Sequence, residues 1–350
     1  MLDRESPEAV WIDEMKNGWF GVVKRKKGAL MQRFVRFILS LLSVFFFALP
    51  GALTAAYPER PIEIIVPFGV GGGSDTAARA IVPALEKVLK AKIVVTNMPG
   101  GGATKGMLHV AQQPPDGYTI LAITTSHFID AVKPKARANL LDDFVPVARY
   151  QLDTTGVLVG GKAPFKNLKD LIDYGKKNPR HLTFAGTSPG GWSEIQTISF
   201  AKLAGIQMTF VPYASGAEIK AAILGGHIHG AMEEVAETLP LIKAGQIRAL
   251  AMISESRHPA LPDVPTTVEQ GINHTKGLTR GFAVRKGTPP VLAKLLADAV
   301  KKAMEDPSYK KFEEENFLHI RKGYLPLDQF RKVWEEEVTL YREILKEVGL

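Results

Sequence analysis

Residues 62–75 read IEIIVPFGVGGGSD, and this stretch decides the fold. The apolar, β-branched run at 62–67 predicts a strand. Residues 75–90 predict a helix, because their apolar side chains recur every three or four positions along one face. That stripe comprises Ala78, Ile81, Val82, Leu85, Val88 and Leu89. A strand joined to a helix through a glycine-rich turn is half of a βαβ unit, so we expect a mostly parallel sheet covered by helices.

The same alternation of strands and helices continues in two series. The first series predicts strands at 93–97 and 118–123 and a helix at 103–113. The second series predicts strands at 157–159, 182–185, 208–212, 228–232 and 247–252, with helices at 167–177, 193–203 and 217–224. The tail adds a strand at 281–284 and helices at 290–304 and 327–348. We therefore predict two α/β lobes, the first at 57–156 plus 281–350 and the second at 157–280.

The segment 1–56 has the order of a secretory signal peptide. Six basic residues between 24 and 36 precede an apolar run at 37–49, and small residues at 54–56 follow Pro50 and Gly51. The apolar run is shorter than the roughly 20 residues of an ordinary membrane-spanning helix. We predict cleavage before Tyr57 and export of the mature protein from the cytoplasm. Retention of the segment as an N-terminal anchor is the alternative.

Composition excludes several chemistries. The 350 residues contain no cysteine, which excludes disulfides, thiolate metal sites and cysteine nucleophiles. The formal net charge is +8, and beyond residue 56 the excess falls to five, with 36 Lys and Arg against 31 Asp and Glu. Since no basic cluster with interleaved aromatic residues follows residue 56, we expect no nucleic-acid partner.

The glycine-rich loop after the first strand predicts an anion site. Its glycines let the backbone approach a ligand, and Ser74 or Asp75 caps the following helix, whose free N–H groups attract negative charge. A P-loop is excluded because Ser74 and Asp75 follow Gly73 where Lys and Ser or Thr are required. A dinucleotide-binding loop starting at Gly69 meets Ser74 where its third glycine belongs. A plain structural turn is the remaining alternative.

A second loop, GTSPG at 186–190, matches the nucleophile elbow G-x-S-x-G between a predicted strand and a predicted helix. The oxyanion hole of that motif uses the backbone N–H of the residue after the serine. Here that residue is Pro189, which has no N–H. Losing one such donor costs roughly a hundredfold or more in rate. We therefore favour a carboxylate-binding turn that uses Thr187 and Ser188 over an active serine.

Acidic and histidine pairs in the second lobe leave their role open. Glu233 and Glu234, with Glu237 one helical turn on, are compatible with a general base, a cation site or a solvated helix N-terminus. His227 and His229 supply fewer ligands than the three that a catalytic zinc site uses. We therefore expect neither a metal site nor a cofactor.

Short motifs recur in a fixed order from residue 57 to the end of the chain. They are YPERP at 57–61, IIVPF at 64–68, GGGSD at 71–75, NMPGGG at 97–102, PDGYT at 115–119, VPY at 211–213, LGGH at 224–227, KAGQIRALA at 243–251, PDVPT at 262–266 and KGTP at 286–289. This ordered set resembles the tripartite tricarboxylate transporter receptor family, the Bug or TctC-like periplasmic binding proteins. The resemblance implies a type II periplasmic-binding-protein fold, with two lobes and a carboxylate held in the cleft between them.

The resemblance also implies which loops hold the ligand. In such relatives the loop after the first strand and the opposing glycine-rich loop of the second lobe bind the ligand carboxylate, through backbone N–H groups, hydroxyls and ordered water. The corresponding residues in this chain are Phe68, Gly69, Gly71, Gly72, Ser74, Asp75, Ser126, Gly186, Thr187, Ser188, Gly190, Ser215 and Gly216.

Three further residues are predicted to select the rest of the ligand. Glu234 stands where family members often carry Asn or Asp, and Trp192 lies in a loop that is generally small and polar. If Trp192 faces the cleft, it suits an aromatic or long apolar acid; the alternative is that it packs its helix onto the lobe. Arg280 is a candidate partner for a second carboxylate, because guanidinium pairs bidentately with that group. A surface arginine is the alternative.

The expected function is capture of a small organic carboxylate and its delivery to the membrane permease subunits of a tripartite tricarboxylate-type transporter. The receptor is expected to be a monomer that catalyses no reaction. One alternative is an exported serine hydrolase that uses Ser188. Another is a sensory binding protein that presents its loaded form to a membrane kinase.

Overall fold

The computed structural model describes residues 57–133, 138–187 and 189–348. The predicted signal peptide and Ser188 lie outside these described residues. No helix within them combines the length and the apolar character that crossing a membrane requires.

Five strands form the first sheet, in the order β2-β1-β3-β10-β4. Their bounds are β1 Ile62–Val66, β2 Ile93–Asn97, β3 Thr119–Thr124, β4 Phe144–Asp153 and β10 Leu278–Arg285. β1 pairs in parallel with β2 and β3, whereas β10 runs antiparallel to β3 and β4. β1 is buried at four of its five residues, which is typical of a parallel strand covered on both faces.

Five strands also form the second sheet, in the order β7-β6-β8-β5-β9. Their bounds are β5 Thr155–Gly160, β6 Leu182–Thr187, β7 Met208–Tyr213, β8 Gly230–Glu234 and β9 Ile247–Ile253. β6 is parallel to β7 and β8, and β5 is antiparallel to β8 and β9. Neighbouring strand residues face opposite sides, so Val157 and Phe184 enter one apolar core while Leu158 and Ala185 enter another.

Helices connect the strands and cover the sheets. Their bounds are α1 Gly73–Leu89, α2 Thr104–Gln112, α3 Thr125–Asp130, α4 Leu140–Asp143, α5 Leu168–Lys177, α6 Trp192–Ala204, α7 Gly216–Leu224, α8 Val235–Lys243, α9 Pro290–Met304, α10 Pro307–Glu315 and α11 Leu327–Val348. The helices predicted at 290–304 and 327–348 are confirmed, because α9 and α11 span those residues. α11 packs Phe330 and Trp334 into the core of the first sheet.

The chain passes between the two sheets twice. Thr154 joins β4 directly to β5, and residues 254–277 join β9 to β10. The first and last parts of the chain therefore share one sheet, and the part between them forms the other. This two-lobed α/β architecture confirms the predicted fold class. The lobe boundaries at 156/157 and 280/281 stay a prediction.

The sequence pattern did not reveal β4, the strand that leads to the second lobe. Pro146, Arg149 and Gln151 interrupt its apolar residues, so neither the two-residue period of a strand nor the 3.6-residue period of a helix is visible. In the structure the Arg149 guanidinium donates to the carbonyl oxygens of Lys322 and Gly323, at 2.8 and 2.9 Å. These hydrogen-bond partners lie about 170 residues away in the sequence. They compensate the burial of the Arg149 side chain in the strand, which the residues next to Arg149 do not predict.

Candidate functional site

A cavity opens between the two sheets, where β1, β3, β6 and β8 end. It encloses about 510 Å³ of empty space, counting its mouth. Its described lining consists of Phe68, Gly69, Gly72, Gly73, Ser74, Thr124, Ser126, Thr187, Trp192, Ser193, Ser215, Gly216, Glu233, Glu234, Glu237, Leu278 and Arg280. The carboxyl ends of strands in open α/β sheets are where such proteins bind ligands.

The N-terminus of α1 enters this cavity without a side-chain cap. Its N-cap residue is Gly72, which makes no side-chain hydrogen bond, so the first N–H groups of a 17-residue helix face the cavity lining. Asp75 holds the turn from behind: its carboxylate accepts from the Gly71 N–H at 2.9 Å and pairs with Arg79 at 2.8 Å. Gly71 and Asp75 therefore shape the loop, and neither lines the cavity.

The N-terminus of α6 meets the cavity from the second lobe. Its N-cap residue, Gly191, also makes no side-chain hydrogen bond. The Trp192 N–H donates to Ser126 Oγ at 3.1 Å, and Ser126 belongs to α3 of the first lobe. One hydrogen bond therefore joins the two lobes at this point. Thr124 accepts from the Ser126 N–H and fixes the position of that hydroxyl.

Trp192 combines the two roles that the sequence left as alternatives. The residue is 4% exposed and lies in the core with Phe330 and Trp334. Its ring meets Tyr341 edge to face, with centroids 6.1 Å apart. The residue also contributes to the cavity wall. Trp192 thus anchors α6 against the first lobe and closes one side of the cavity.

The remaining glycines of the second loop have packing roles. A Cβ on Gly186 would lie 2.2 Å from Ser193 Cβ, so only glycine lets β6 approach α6 so closely. Gly190 has a φ of +66° and donates its N–H to the Glu194 carboxylate. A Cβ at Gly190 would lie 2.9 Å from Lys133 Nζ of the first lobe. Thr187 lines the cavity, whereas Gly186 and Gly190 do not.

The loop before α7 forms the third glycine-containing edge. Ser215 caps α7 by accepting from the Glu218 N–H. Gly69 of the first lobe faces Ser215, since a Cβ built on Gly69 would lie 3.1 Å from Ser215 Cβ. Gly216 follows in the cavity wall.

Arg280 lies at the centre of a buried ion-pair network. Its side chain is 2% exposed, which contradicts the surface alternative. The guanidinium donates to Asp153 Oδ2 at 2.5 Å, to Glu237 Oε1 at 2.8 Å and to Ser74 Oγ at 2.9 Å. Glu234 Oε2 lies 4.0 Å away. Asp153 and Ser74 belong to the first lobe and Glu237 to the second, so this network also bridges the lobes.

Burial shifts the pKa values of these groups. Desolvation raises the pKa of Glu233 well above its usual range, and the charges of Glu234 and Glu237 add to the rise. Desolvation and the Glu237 charge raise the pKa of Glu234 to about 7, against the pull of Arg280. Burial by itself would lower the pKa of Arg280, but the surrounding carboxylates outweigh it and raise that pKa, so the guanidinium stays charged.

Gly73 is the residue that lets this network touch α1. A Cβ at Gly73 would lie 1.8 Å from Glu237 Oε1 and 2.2 Å from Arg280 Nη2. No side chain fits there, so the ion pair is pressed against the first turn of the helix. This contact is the physical reason for the third glycine of the run at 71–73.

The structure thus brings eleven of the predicted site residues together around one cavity. They are Phe68, Gly69, Gly72, Ser74, Ser126, Thr187, Trp192, Ser215, Gly216, Glu234 and Arg280. Gly71, Asp75, Gly186 and Gly190 do not line it, and Ser188 lies outside the described residues. That the eleven contact a ligand stays a prediction.

Six lining residues were not among the predicted ones: Gly73, Thr124, Ser193, Glu233, Glu237 and Leu278. The sequence singled out Glu233 and Glu237, but only for a general base, a cation site or a solvated helix N-terminus. Glu237 follows Glu234 by three residues at a helix start, a spacing that puts both carboxylates on one face. No local pattern identifies Leu278, because it enters the site only through the long connection that returns β10 to the first sheet.

Comparison with known proteins identifies the family of this chain and solved structures with a similar fold. Residues 77–350 match the family model described as tripartite tricarboxylate transporter family receptor. A UPF0065 protein from the TAR-I ttuE-ttuC' intergenic region of Agrobacterium vitis is 31% identical over 330 residues, which cover 93% of this chain and 95% of that protein.

Two solved structures are similar along nearly their whole length. The periplasmic binding protein BugD is 27% identical with a TM-score of 0.77, covering 84% of this chain and 99% of BugD. MatC from Rhodopseudomonas palustris with bound malate is 25% identical with a TM-score of 0.76, covering 83% of this chain and 100% of MatC.

Proposed function

Because the chain belongs to the tripartite tricarboxylate transporter family of receptors, we propose that it captures a small organic carboxylate in the periplasm and delivers it to the permease subunits of such a transporter. The receptor acts as a monomer and makes or breaks no covalent bond. Its ligand binds in the cavity between the two sheets.

One observation carries this proposal. The N-termini of α1 and α6 open into the same cavity, and both begin at a glycine that makes no side-chain hydrogen bond. A helix N-terminus carries about half a positive charge and several N–H donors without partners. Two of them in one cavity make a site for an anion, and the related MatC has bound malate.

Contacts across the cavity support a closing motion on the ligand. Trp192 bonds to Ser126, and Arg280 pairs with Glu237, each contact joining one lobe to the other. A ligand held by both lobes adds contacts that exist only when they are close, and it therefore shifts the population toward the closed form. The permease then recognises the closed receptor.

Thermal-shift and calorimetric titrations of the protein expressed from Tyr57 test the proposal. Malate, citrate, adipate and benzoate are the first acids, with putrescine and glucose as non-acidic comparisons. A ligand at 100 times its dissociation constant adds about 2.7 kcal/mol to the free energy of unfolding. Stabilisation by amines or sugars but by no carboxylate would contradict the proposal.

A pair of substitutions at Gly72 tests the anion site itself. Its φ is −80°, and a Cβ there would meet nothing closer than 3.4 Å, so Ala and Asp both fit. Gly72→Asp caps α1 and places a negative charge where the ligand's carboxylate is proposed to bind, so we expect a loss of affinity of at least about tenfold without loss of stability. Gly72→Ala is the matched control that leaves the N–H groups free. Equal affinity of the two variants would refute this placement.

The hydrolase alternative has its own test. A fluorophosphonate probe labels an activated serine. We expect no labelling of the wild-type protein, and labelling that Ser188→Ala abolishes would show an enzyme instead of a receptor.

A further inference from the structure

The cavity contains more acidic than basic side chains, which is unexpected in a receptor for anions. Glu233, Glu234 and Glu237 all line it. Among the described lining residues, Arg280 is the one basic side chain. Its guanidinium is already engaged by Asp153 and Glu237. The arginine therefore neutralises carboxylates of the protein, as does Lys220, whose Nζ lies 3.9 Å from Glu237 Oε2 outside the cavity lining. The lining itself keeps an excess of acidic side chains, an acidic wall of Glu233, Glu234 and Glu237.

Glu233 is the member of this wall that has no partner. It is 5% exposed and lines the cavity. Among the described residues its side chain makes no hydrogen bond or ion pair, although the charges of Lys220 and Arg280 act on it from further away. Its Oε2 lies 3.2 Å from the position that a Cβ on Gly216 would take, which places the carboxyl at the cavity edge of α7. A desolvated carboxyl without a partner is costly, and buried polar groups are as a rule hydrogen-bonded.

The missing partner has a definable chemistry. Burial and the charges of Glu234 and Glu237 raise the pKa of Glu233, so by itself the carboxyl favours its protonated form. A cationic donor would ionise it, and the ionised carboxylate then only accepts hydrogen bonds. A donor that carries positive charge is therefore favoured over a neutral one, because it stabilises the ionised form of Glu233 beside Glu234 and Glu237. A metal ion does not fit this requirement, since no three His, Asp or Glu side chains in the described part of the chain are arranged to hold one. The remaining donor is an organic cation.

The same cavity keeps a separate region for an anion. The α6 N-terminus, with Ser126 and Ser193, contributes hydroxyls and N–H groups to the lining. Hydroxyl and N–H donors of this kind fit a carboxylate head. One cavity thus contains hydrogen-bond donors at the α6 N-terminus and hydrogen-bond acceptors at Glu233 and Glu234.

We propose that the ligand is a zwitterion, whose carboxylate binds at the α1 and α6 N-termini and whose cationic nitrogen binds to Glu233 with support from Glu234. This inference rests on the proposed function and narrows its substrate class. The cavity is small, with about 50 Å³ open to the centre of a water-sized sphere, so it favours a compact amino or quaternary-ammonium acid.

Calorimetric titration with a matched series of five-carbon compounds tests the proposal. Pentanoate carries the anion alone, pentylamine carries the cation alone, and 2-, 4- and 5-aminopentanoate carry both at different separations. Titrations at about pH 8 keep aliphatic carboxylates and amines charged. We expect at least one aminopentanoate to bind about tenfold or more tightly than pentanoate, the effect of one charge-assisted hydrogen bond in a desolvated site.

Glu233→Gln should change the affinities for an aminopentanoate and for pentanoate differently. It keeps the side-chain shape and removes the negative charge, so affinity for the aminopentanoate falls about tenfold while affinity for pentanoate stays equal or rises. The matched control is Glu336→Gln on α11, where the side chain is exposed and remote from the cavity lining. Thermal melts of both variants confirm folding before titration.

Each outcome decides between the two proposals. Pentanoate or malate binding as tightly as every aminopentanoate overturns the zwitterion and leaves the carboxylate receptor standing. An unchanged preference in Glu233→Gln also overturns the zwitterion, because Glu233 then does not hold the cation. Binding of pentylamine but of no carboxylate contradicts the proposed function itself, as does the absence of binding by every compound.

Discussion

Replacing Arg280 by methionine should destabilise the protein strongly, and more so at alkaline than at acidic pH. Methionine keeps most of the length of the side chain and removes its charge. Asp153 and Glu237 are thereby left buried without the guanidinium that they share at 2.5 and 2.8 Å. The change therefore tests whether this network stabilises the folded arrangement of the two lobes.

The expected magnitude follows from the burial of the network. Removing one partner of a buried ion pair typically costs about 3–5 kcal/mol, because an uncompensated charge remains. A stranded carboxylate can instead take up a proton, at about 1.4 kcal/mol for each unit by which pH exceeds its ordinary pKa. For an ordinary aspartate carboxyl that route costs about 1.5 kcal/mol at pH 5 and more than 5 kcal/mol at pH 8. We expect a loss of about 3–5 kcal/mol at pH 8 and about half as much at pH 5.

Urea unfolding of the wild-type protein and the variant at both pH values measures these losses. Arg257→Met is the matched control, because Arg257 pairs with Glu269 at the surface, where the two side chains are 46% and 43% exposed. An exposed pair contributes about 0–1 kcal/mol. A loss below about 1 kcal/mol for Arg280→Met at pH 8, or equal losses at pH 5 and pH 8, would refute the reasoning.

Three further predictions concern the same cavity. Gly73→Ala should lower the free energy of unfolding by about 3 kcal/mol or more, because its Cβ displaces the buried ion pair, whereas Gly72→Ala should cost under about 1 kcal/mol; equal urea midpoints would contradict this. The pKa of Glu234 is raised to about 7 in the folded protein, so the protein holds a proton there that the unfolded chain has already lost. Its stability should therefore fall as pH rises from about 4.5 to about 7, and Glu234→Gln should flatten that fall in thermal melts across this range. Ser126→Ala removes the acceptor of the Trp192 N–H and should cost about 0.5–1.5 kcal/mol of stability and weaken carboxylate binding, which calorimetry would detect; unchanged values in both assays would exclude this interlobe contact.

Local patterns were sufficient for most strands and helices. α1, α9 and α11 are amphipathic over several turns, and β1 is a continuous apolar run, so their type follows from neighbouring residues alone. The glycine loops were identified for the same reason, since glycine before a helix indicates a close backbone approach wherever it occurs. β4 lacks such a pattern, because Arg149 is satisfied by carbonyl groups near the end of the chain.

The sequence by itself therefore determined most of the α/β elements, their order and the glycine-rich helix N-termini that lie at the cavity, because each of these depends on residues within a few positions of one another. Only the tertiary structure decided which side chains surround the cavity. Arg280 meets Asp153 and Glu237 because β10 returns to lie beside β4 and because the second lobe closes over α1. Glu233, which makes no hydrogen bond or ion pair with another described residue, is likewise buried only in the assembled fold. Burial and the balance of charge are properties of the assembled lobes, and no segment of the sequence carries them alone.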